Sequence, residues 1–455
     1  MDPRSVPPLL APRSSDEYQP QPLRRIDRLV IDTVETDAVS ASARHGLAMD
    51  RYLATRMGTA ATLRAIDAAH GGGFYDVDAE AEADPVAADA AFAGLGPVID
   101  VQTHLVRPSR SATAGAAALN GFLRMVDPDR WSDPIDPELL AAPAWAGCVF
   151  GGSETSVALL TSPPGRPGDG VLDNADIAAA REIVDRYAGT GRVLAHTIVH
   201  PNLGPDELER MVGWSADLSP AAWKTYTLWD DPEHPTGGWF LDDDEVGMPF
   251  LEHVRSIGPR IVCAHKGIAG PIPSVAPAAS SPRDIGPAAA AFTDIDFVVY
   301  HSGYDPDPTG EEGDHISAPH RGVSRLVTSL ADAGVRPGAN VWAELGSTWF
   351  LMLRRPVEAA HVIGKLLLAV GPDRILWGTD SVWYGPPQYL IDAFRTFRIP
   401  EWMQEQFGYP PITPDLIDRI LCRNAMALYG LAEPEKPSNL DWLAAARAEL
   451  GIRLF

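Results

Sequence analysis

Val98-Ile99-Asp100-Val101-Gln102-Thr103-His104 is a mostly β-branched run that carries an amide near its end and closes on an imidazole. It reads as a buried strand carrying chemistry at its C-terminal tip. Seven further short runs of this kind follow. They are Ala146 to Phe150, Arg192 to His200, Ala222 to Thr227, Arg260 to His265, Asp296 to His301, Asn340 to Leu345 and Arg374 to Asp380, each followed by helix-compatible sequence. Strands alternating with helices call for a parallel sheet, and eight such units predict closure into an α/β-class (β/α)8 TIM barrel. An open doubly wound sheet is the runner-up, but it would usually carry a Gly-rich phosphate turn. The patterns G-x-G-x-x-G, G-x-x-x-x-G-K-[ST] and G-x-S-x-G are all missing.

Catalytic groups of such barrels sit at the C-terminal ends of the strands. His104, His265, His301 and Asp380 end their runs, and Glu344 lies at the tip of the seventh. Imidazole and carboxylate from five strands on one face form a donor set for a first-row transition metal. Gln102 and His104 are two apart, about 6.6 Å along a strand, so they point the same way and can serve one ion. Gln102 is equally readable as a hydrogen-bond partner of a ligand. His196 and His200 are four apart, about 13 Å on a strand, and cannot share an ion, although His200 can line the pocket.

Lys224 interrupts the fourth run in a chain with only four lysines. It is read as a metal-bridging carbamate, a cation facing substrate or a base of lowered pKa, against the plainer reading of a salt bridge. Glu154 and the acidic run Asp242 to Glu245 read as solvated, and Asp305 to His315 as a long loop able to act as a lid. Tyr226, Trp229, Trp342, Trp349, Trp383 and Tyr384 suggest aromatic walls for a bulky hydrophobic substrate.

The rest of the chain frames this barrel. Residues 1–23 contain six prolines and read as a poorly ordered tail or an arm laid on the body. Residues 24–97 read as a helical extension, 98–431 as the metal-dependent barrel and 432–455 as a C-terminal helical tail. Sixty-one acidic against 37 basic residues give a net charge of −24, which disfavours nucleic acid as a partner. Cys148, Cys263 and Cys422 are far apart, and neither a signal-like nor a membrane-length apolar stretch occurs. The expectation is a reduced, cytoplasmic protein with no membrane partner, a homodimer being left open.

The motifs Ile99-Asp100-Val101-Gln102-Thr103-His104, Cys263-Ala264-His265, Tyr300-His301-Ser302-Gly303, Leu376-Trp377-Gly378-Thr379-Asp380 and Asn424-Ala425-Met426-Ala427-Leu428-Tyr429-Gly430-Leu431 resemble the amidohydrolase superfamily, especially its decarboxylase-like branch. The resemblance spans Val98 to Leu431. It implies metal ligands His104, His265 and Asp380, with His301 as ligand or acid-base group. The family's first motif is normally His-x-His, and here Gln102 replaces its first histidine. In this Gln-x-His start and in Glu344 the chain is similar to the TIM-barrel nonheme diiron monooxygenases acting on CoA-linked diterpenoid substrates in antibiotic biosynthesis. That resemblance implies two irons held by Gln102, His104, His265, His301, Glu344 and Asp380, with O2 and an acyl-CoA-like small molecule as partners and hydroxylation as the outcome. His301, Lys224 and Asp380 are the expected catalytic residues. The alternative is a mononuclear Zn- or Mn-dependent hydrolase or decarboxylase in which Asp380 shuttles protons and His301 polarises the substrate.

Overall fold

Eight short parallel strands pair in the order β1 to β8. They are β1 (Val98–Thr103), β2 (Thr155–Leu160), β3 (Val193–Ile198), β4 (Ala222–Tyr226), β5 (Ile261–His265), β6 (Asp296–Tyr300), β7 (Val341–Glu344) and β8 (Ile375–Leu376). The sheet closes on itself: Val101 N–H donates to Trp377 O at 3.0 Å and Asp380 N–H to Gln102 O at 2.9 Å. This is the (β/α)8 barrel expected of the sequence. The computed structural model describes residues 6–110, 114–128, 130–131, 136–166, 168–189, 191–231, 233, 235–270, 275–306, 311–435 and 440–454.

The strands are apolar on both faces because helices cover the outside and side chains fill the inside. Register aligns Tyr226 with His265 and His265 with Tyr300, so these three side chains share one level at the C-terminal rim. Below it, Val157, Leu159, Ala222, Cys263, Val298 and Trp342 pack against Cys422 and Ala425, whose helix plugs the lower end. Two of the residues that follow the strands, His301 and Asp380, have φ of 60°, in the left-handed region that L-residues seldom occupy. Such conformations cluster where a surrounding site holds them in place.

One expected strand moves. Ala146 to Phe150 continues the helix Ala142–Ala146 as one π-helical turn, and the second strand is Thr155–Leu160. Short apolar runs fit buried helix and buried strand equally well, and here Gly151-Gly152 follows the helical turn.

The extension is helical, with α1 (Arg25–Arg44) packed on α2 (Arg56–Ala69), whose N-cap Thr55 accepts from Gly58 N–H. Arg56 fastens it to the barrel through Asp392 and Glu154. At the other end of the chain, α3 (Asp441–Arg453) packs on the helix Asn174–Ala188. The segment before α1 is not free: the sequence leaves open a poorly ordered tail or an arm laid on the body, and Ser14 to Tyr18 are buried. Arg354 donates to Gln21 O at 2.7 Å, and Tyr18 Oη donates to Tyr384 Oη at 2.6 Å, holding the segment across the barrel mouth. Among the described residues no helix is long and apolar enough to cross a membrane.

Candidate metal centre

Three histidines at the barrel mouth are oriented in one way. His104 Nδ1 lies 3.0 Å from Thr161 O, His265 Nε2 lies 2.9 Å from Ile268 O, and His301 Nδ1 lies 2.7 Å from Gly346 O. A carbonyl oxygen only accepts, so each of these nitrogens carries a proton and the other is turned toward the centre, where it can ligate a metal once it gives up any proton of its own. Those free nitrogens face carboxylates: His104 Nε2 is 3.1 Å from Asp380 Oδ1, His265 Nδ1 is 3.2 Å from Glu17 Oε1, and His301 Nε2 is 3.0 Å from Glu17 Oε2. Histidines that ligate metals are fixed by this pattern, the second nitrogen donating to a carbonyl or carboxylate.

The donors fit a cation. Glu17 Oε1 and Oε2, His265 Nδ1 and His301 Nε2 are buried and close together, yet none has a hydrogen-bond partner in acceptable geometry among the described residues. Carboxylate and imidazole atoms brought to about 3 Å are joined either by a proton or by a metal cation, and a geometry poor for a hydrogen bond suits the cation, which needs no donor direction. Glu17, His265 and His301 offer ligand atoms within 4.8 Å of one another, and so do Asp16, Glu17 and Asp380.

The sequence-predicted residues divide by what they touch. Asp380 receives Gln102 Nε2–H at 3.1 Å and the Ser347 hydroxyl, which in turn lies 2.5 Å from Tyr384 Oη. Gln102 therefore orients Asp380 and His104 through its amide nitrogen, while its Oε1 has no partner. Glu344 is fully buried, but its oxygens accept the His301 and Gly346 backbone N–H groups, so it shapes the loops that carry the ligands. Lys224 forms no salt bridge among the described residues; its ammonium sits 3.2 Å from the Tyr300 ring centroid and 4.5 Å from that of Tyr226, a cation–π arrangement. His196 lies deeper, between Tyr300 and Tyr429, and His200 stacks on Trp229 beside a cavity of about 200 Å3 that includes Ser162 and Asn174.

Of the six expected aromatic walls, Tyr226, Trp383 and Tyr384 face the centre. Trp229 belongs with His200, Trp349 packs among Phe394 and Phe397, and Trp342 donates to Asp296 at the lower end. Of the stretch 305–315, residues 307–310 lie outside the described residues, and Glu312 is pinned by Lys365. Glu154 pairs with Arg56 and Arg395, away from the centre.

Electrostatics follow from burial opposed by close charges. Burial lowers the His301 pKa, but Glu17, Asp380 and Glu344 outweigh it and hold the imidazole up at about 9. Burial raises Glu17, yet the His265 and His301 rings more than offset it and keep the carboxyl well below its usual range. Asp16 is pushed well above that range by burial and by Glu17. Burial lifts Glu344 to about 7 and brings Lys224 down to about 8. Sequence reasoning missed Asp16 and Glu17 because Ser-Ser-Asp-Glu-Tyr within a Pro-rich segment has neither periodicity nor a ligand spacing.

Residues 71–431 match the amidohydrolase family. No curated protein matches the sequence. Similar solved structures include 2,6-dihydroxybenzoate decarboxylase from Rhizobium, at 13% identity over 74% of this chain and 99% of that one with a TM-score of 0.41. Another is 5-carboxyvanillate decarboxylase from Novosphingobium aromaticivorans complexed with manganese and 4-hydroxy-3-methoxy-5-nitrobenzoic acid, at 16% over 74% and 97% with a TM-score of 0.45. A third is a probable 2-pyrone-4,6-dicarboxylic acid hydrolase from Acinetobacter baumannii with citric acid bound, at 12% over 74% and 100% with a TM-score of 0.43.

Proposed function

The chain belongs to the amidohydrolase family, and we propose that it is a metal-dependent hydrolase or decarboxylase acting on a small anionic molecule. The observation that carries this reading is the common orientation of His104, His265 and His301, each locked by a backbone carbonyl with its free nitrogen directed at a buried carboxylate. His265, His301 and Asp380, with His104 beside Asp380, would hold one divalent ion such as Zn or Mn. An ion so held supplies Lewis acidity toward a substrate oxygen or water.

The chain's own residues divide the remaining work. Asp380 accepts or returns a proton at its carboxylate, and the Ser347 hydroxyl and Gln102 amide fix its orientation. Lys224 is a buried ammonium without a hydrogen-bond partner among the described residues, so an anionic substrate group entering the chamber would be its natural counter-charge. Tyr226, Trp383 and Tyr384 exclude water and orient an apolar body.

Hydroxylation by two irons and O2 on a CoA-linked substrate, which the sequence suggests first, gains no support from the family match. One observation bears on a second ion, the membership of Glu17 in both clusters of ligand atoms, and the proposal remains one ion.

Metal analysis of the purified full chain, with CO2 release and hydrolysis measured on a panel of small carboxylic acids before and after chelation, tests the proposal. Activity that vanishes with chelation and returns with Mn(II) or Zn(II) is the expected result. A chain that binds neither ion, or activity indifferent to chelation, ends it. Two irons per chain with O2 consumption would transfer the assignment to the oxygenase.

A further inference from the structure

The segment before α1 enters the barrel mouth as an arm anchored on both sides. Arg13 donates to Tyr384 O at 2.6 Å, and Arg354 and Arg355 both hold Gln21. Between these anchors Asp16 and Glu17 are thrust inward and are 4% and 2% exposed. Gly270 permits the approach: a Cβ there would stand 1.8 Å from Glu17 O.

Inserting two adjacent carboxylates into a dry chamber that already holds Asp380 and Glu344 is costly unless a positive charge meets them. Lys224 is a fixed cation that acts on both acids through its charge, but it lies against the Tyr300 ring and forms no salt bridge with either acid among the described residues. The Glu17 oxygens instead face the two nitrogens that His265 and His301 leave free.

We infer that Glu17 is a ligand of the same cation as His265 and His301, so that residues 6–23 complete the metal centre and dock with it as one equilibrium. This rests on the metal-dependent reading of the site and adds the source of one donor. Because the two events are linked, the cation tightens the arm and the arm tightens the cation by the same factor.

The test uses the full-length chain stripped of metal and titrated with Mn(II), which is followed by electron paramagnetic resonance of the free ion. Hydrogen exchange of the peptide covering residues 6–23 is read in parallel. Glu17→Gln is nearly isosteric, and removing a direct donor should weaken Mn(II) binding by about 100-fold or more, at or beyond the effect of losing an outer partner. Gly270→Ala leaves every donor in place but collides with the arm's backbone, and should weaken binding in the same direction. Mn(II) should slow exchange of the arm in wild type and not in Glu17→Gln. If both variants bind Mn(II) as wild type does and arm exchange ignores the ion, Glu17 is not a ligand, while the metal-dependent reading stands. If wild type itself binds no Mn(II) or other divalent ion, both inferences fall.

Discussion

Without its ion, the centre should make the protein lose stability as pH rises through neutrality. His301 is the group responsible, since Glu17 and its neighbours overcome burial and hold it at about 9 against an ordinary value of 6.5. A raised folded-state pKa means that stability is fully present below 6.5 and is lost as pH climbs through 9. A shift of this size is about 3 kcal/mol at 1.36 kcal/mol per unit, of which about 2 kcal/mol is gone by pH 8. Lys224, brought down to about 8, acts with the opposite sign above that pH, so the informative window is 6.5 to 8. His196, His200 and His361, lowered to about 3, 4 and 4, oppose the loss by about 0.4 kcal/mol each across the window, as the unfolded imidazoles give up the half-proton they still hold at 6.5. Glu344 and Asp100, both raised to about 7, each add a loss of roughly 1 kcal/mol in the same direction as His301 at the window's lower end, so the net slope stays downward. For a chain this long the unfolding entropy is about 1 kcal/mol per degree, so Tm should fall by about 2 °C across the window. Differential scanning calorimetry of the chelated protein measures this. Saturating Mn(II) should abolish the slope, because the His301 Nε2 lone pair is then engaged and takes up no proton. A metal-free Tm that is flat or rises from pH 6.5 to 8, or a slope that survives Mn(II), refutes the placement of Glu17 against His301.

Other perturbations have directions fixed by the same geometry. Gly378→Ala places a Cβ 1.9 Å from Glu344 Oε1 and should cost about 3 kcal/mol or more in a urea denaturation series, the upper range of overpacking. Lys224→Met removes a buried, unpartnered ammonium; stability should hold or rise by about 1 kcal/mol while turnover falls by about 100-fold, and a loss of stability with turnover intact would argue against a substrate-facing role. Glu344→Gln retains only one acceptor for the two backbone N–H groups of His301 and Gly346. It should therefore lose about 1–3 kcal/mol and weaken Mn(II) by about 10-fold or more, and a calorimetric titration indistinguishable from wild type would contradict that role.

Much of the barrel can be read from the chain because β-branched runs buried on both faces leave a periodic trace, and the residues at their tips interrupt it. His104, His265, His301 and Asp380 were found in that way, by type and position together. The displaced second strand shows the limit: Ala146 to Phe150 and Thr155 to Leu160 are both short and apolar, and only packing distinguishes a helical turn from a strand. Glu344 shows another, since a strand-tip carboxylate looks the same in the sequence whether its oxygens face a cation or two backbone amides. The arm is the deepest case. Nothing local to Ser14–Tyr18 requires those residues to be ordered; what orders them lies more than 100 residues downstream, in Trp131, Gly270, Arg354, Arg355 and Tyr384. A carboxylate whose value depends on partners that distant has no local pattern to betray it, so the histidines were legible as three separate donors while the acid that joins two of them was not. The same reasoning separates fold from chemistry here. The barrel would close with Asp16 and Glu17 deleted, because no strand pairs with the arm, whereas His265 and His301 would then face a solvent-filled mouth with one fewer negative charge between them. Loss of the arm should therefore be visible in metal affinity before it is visible in secondary structure.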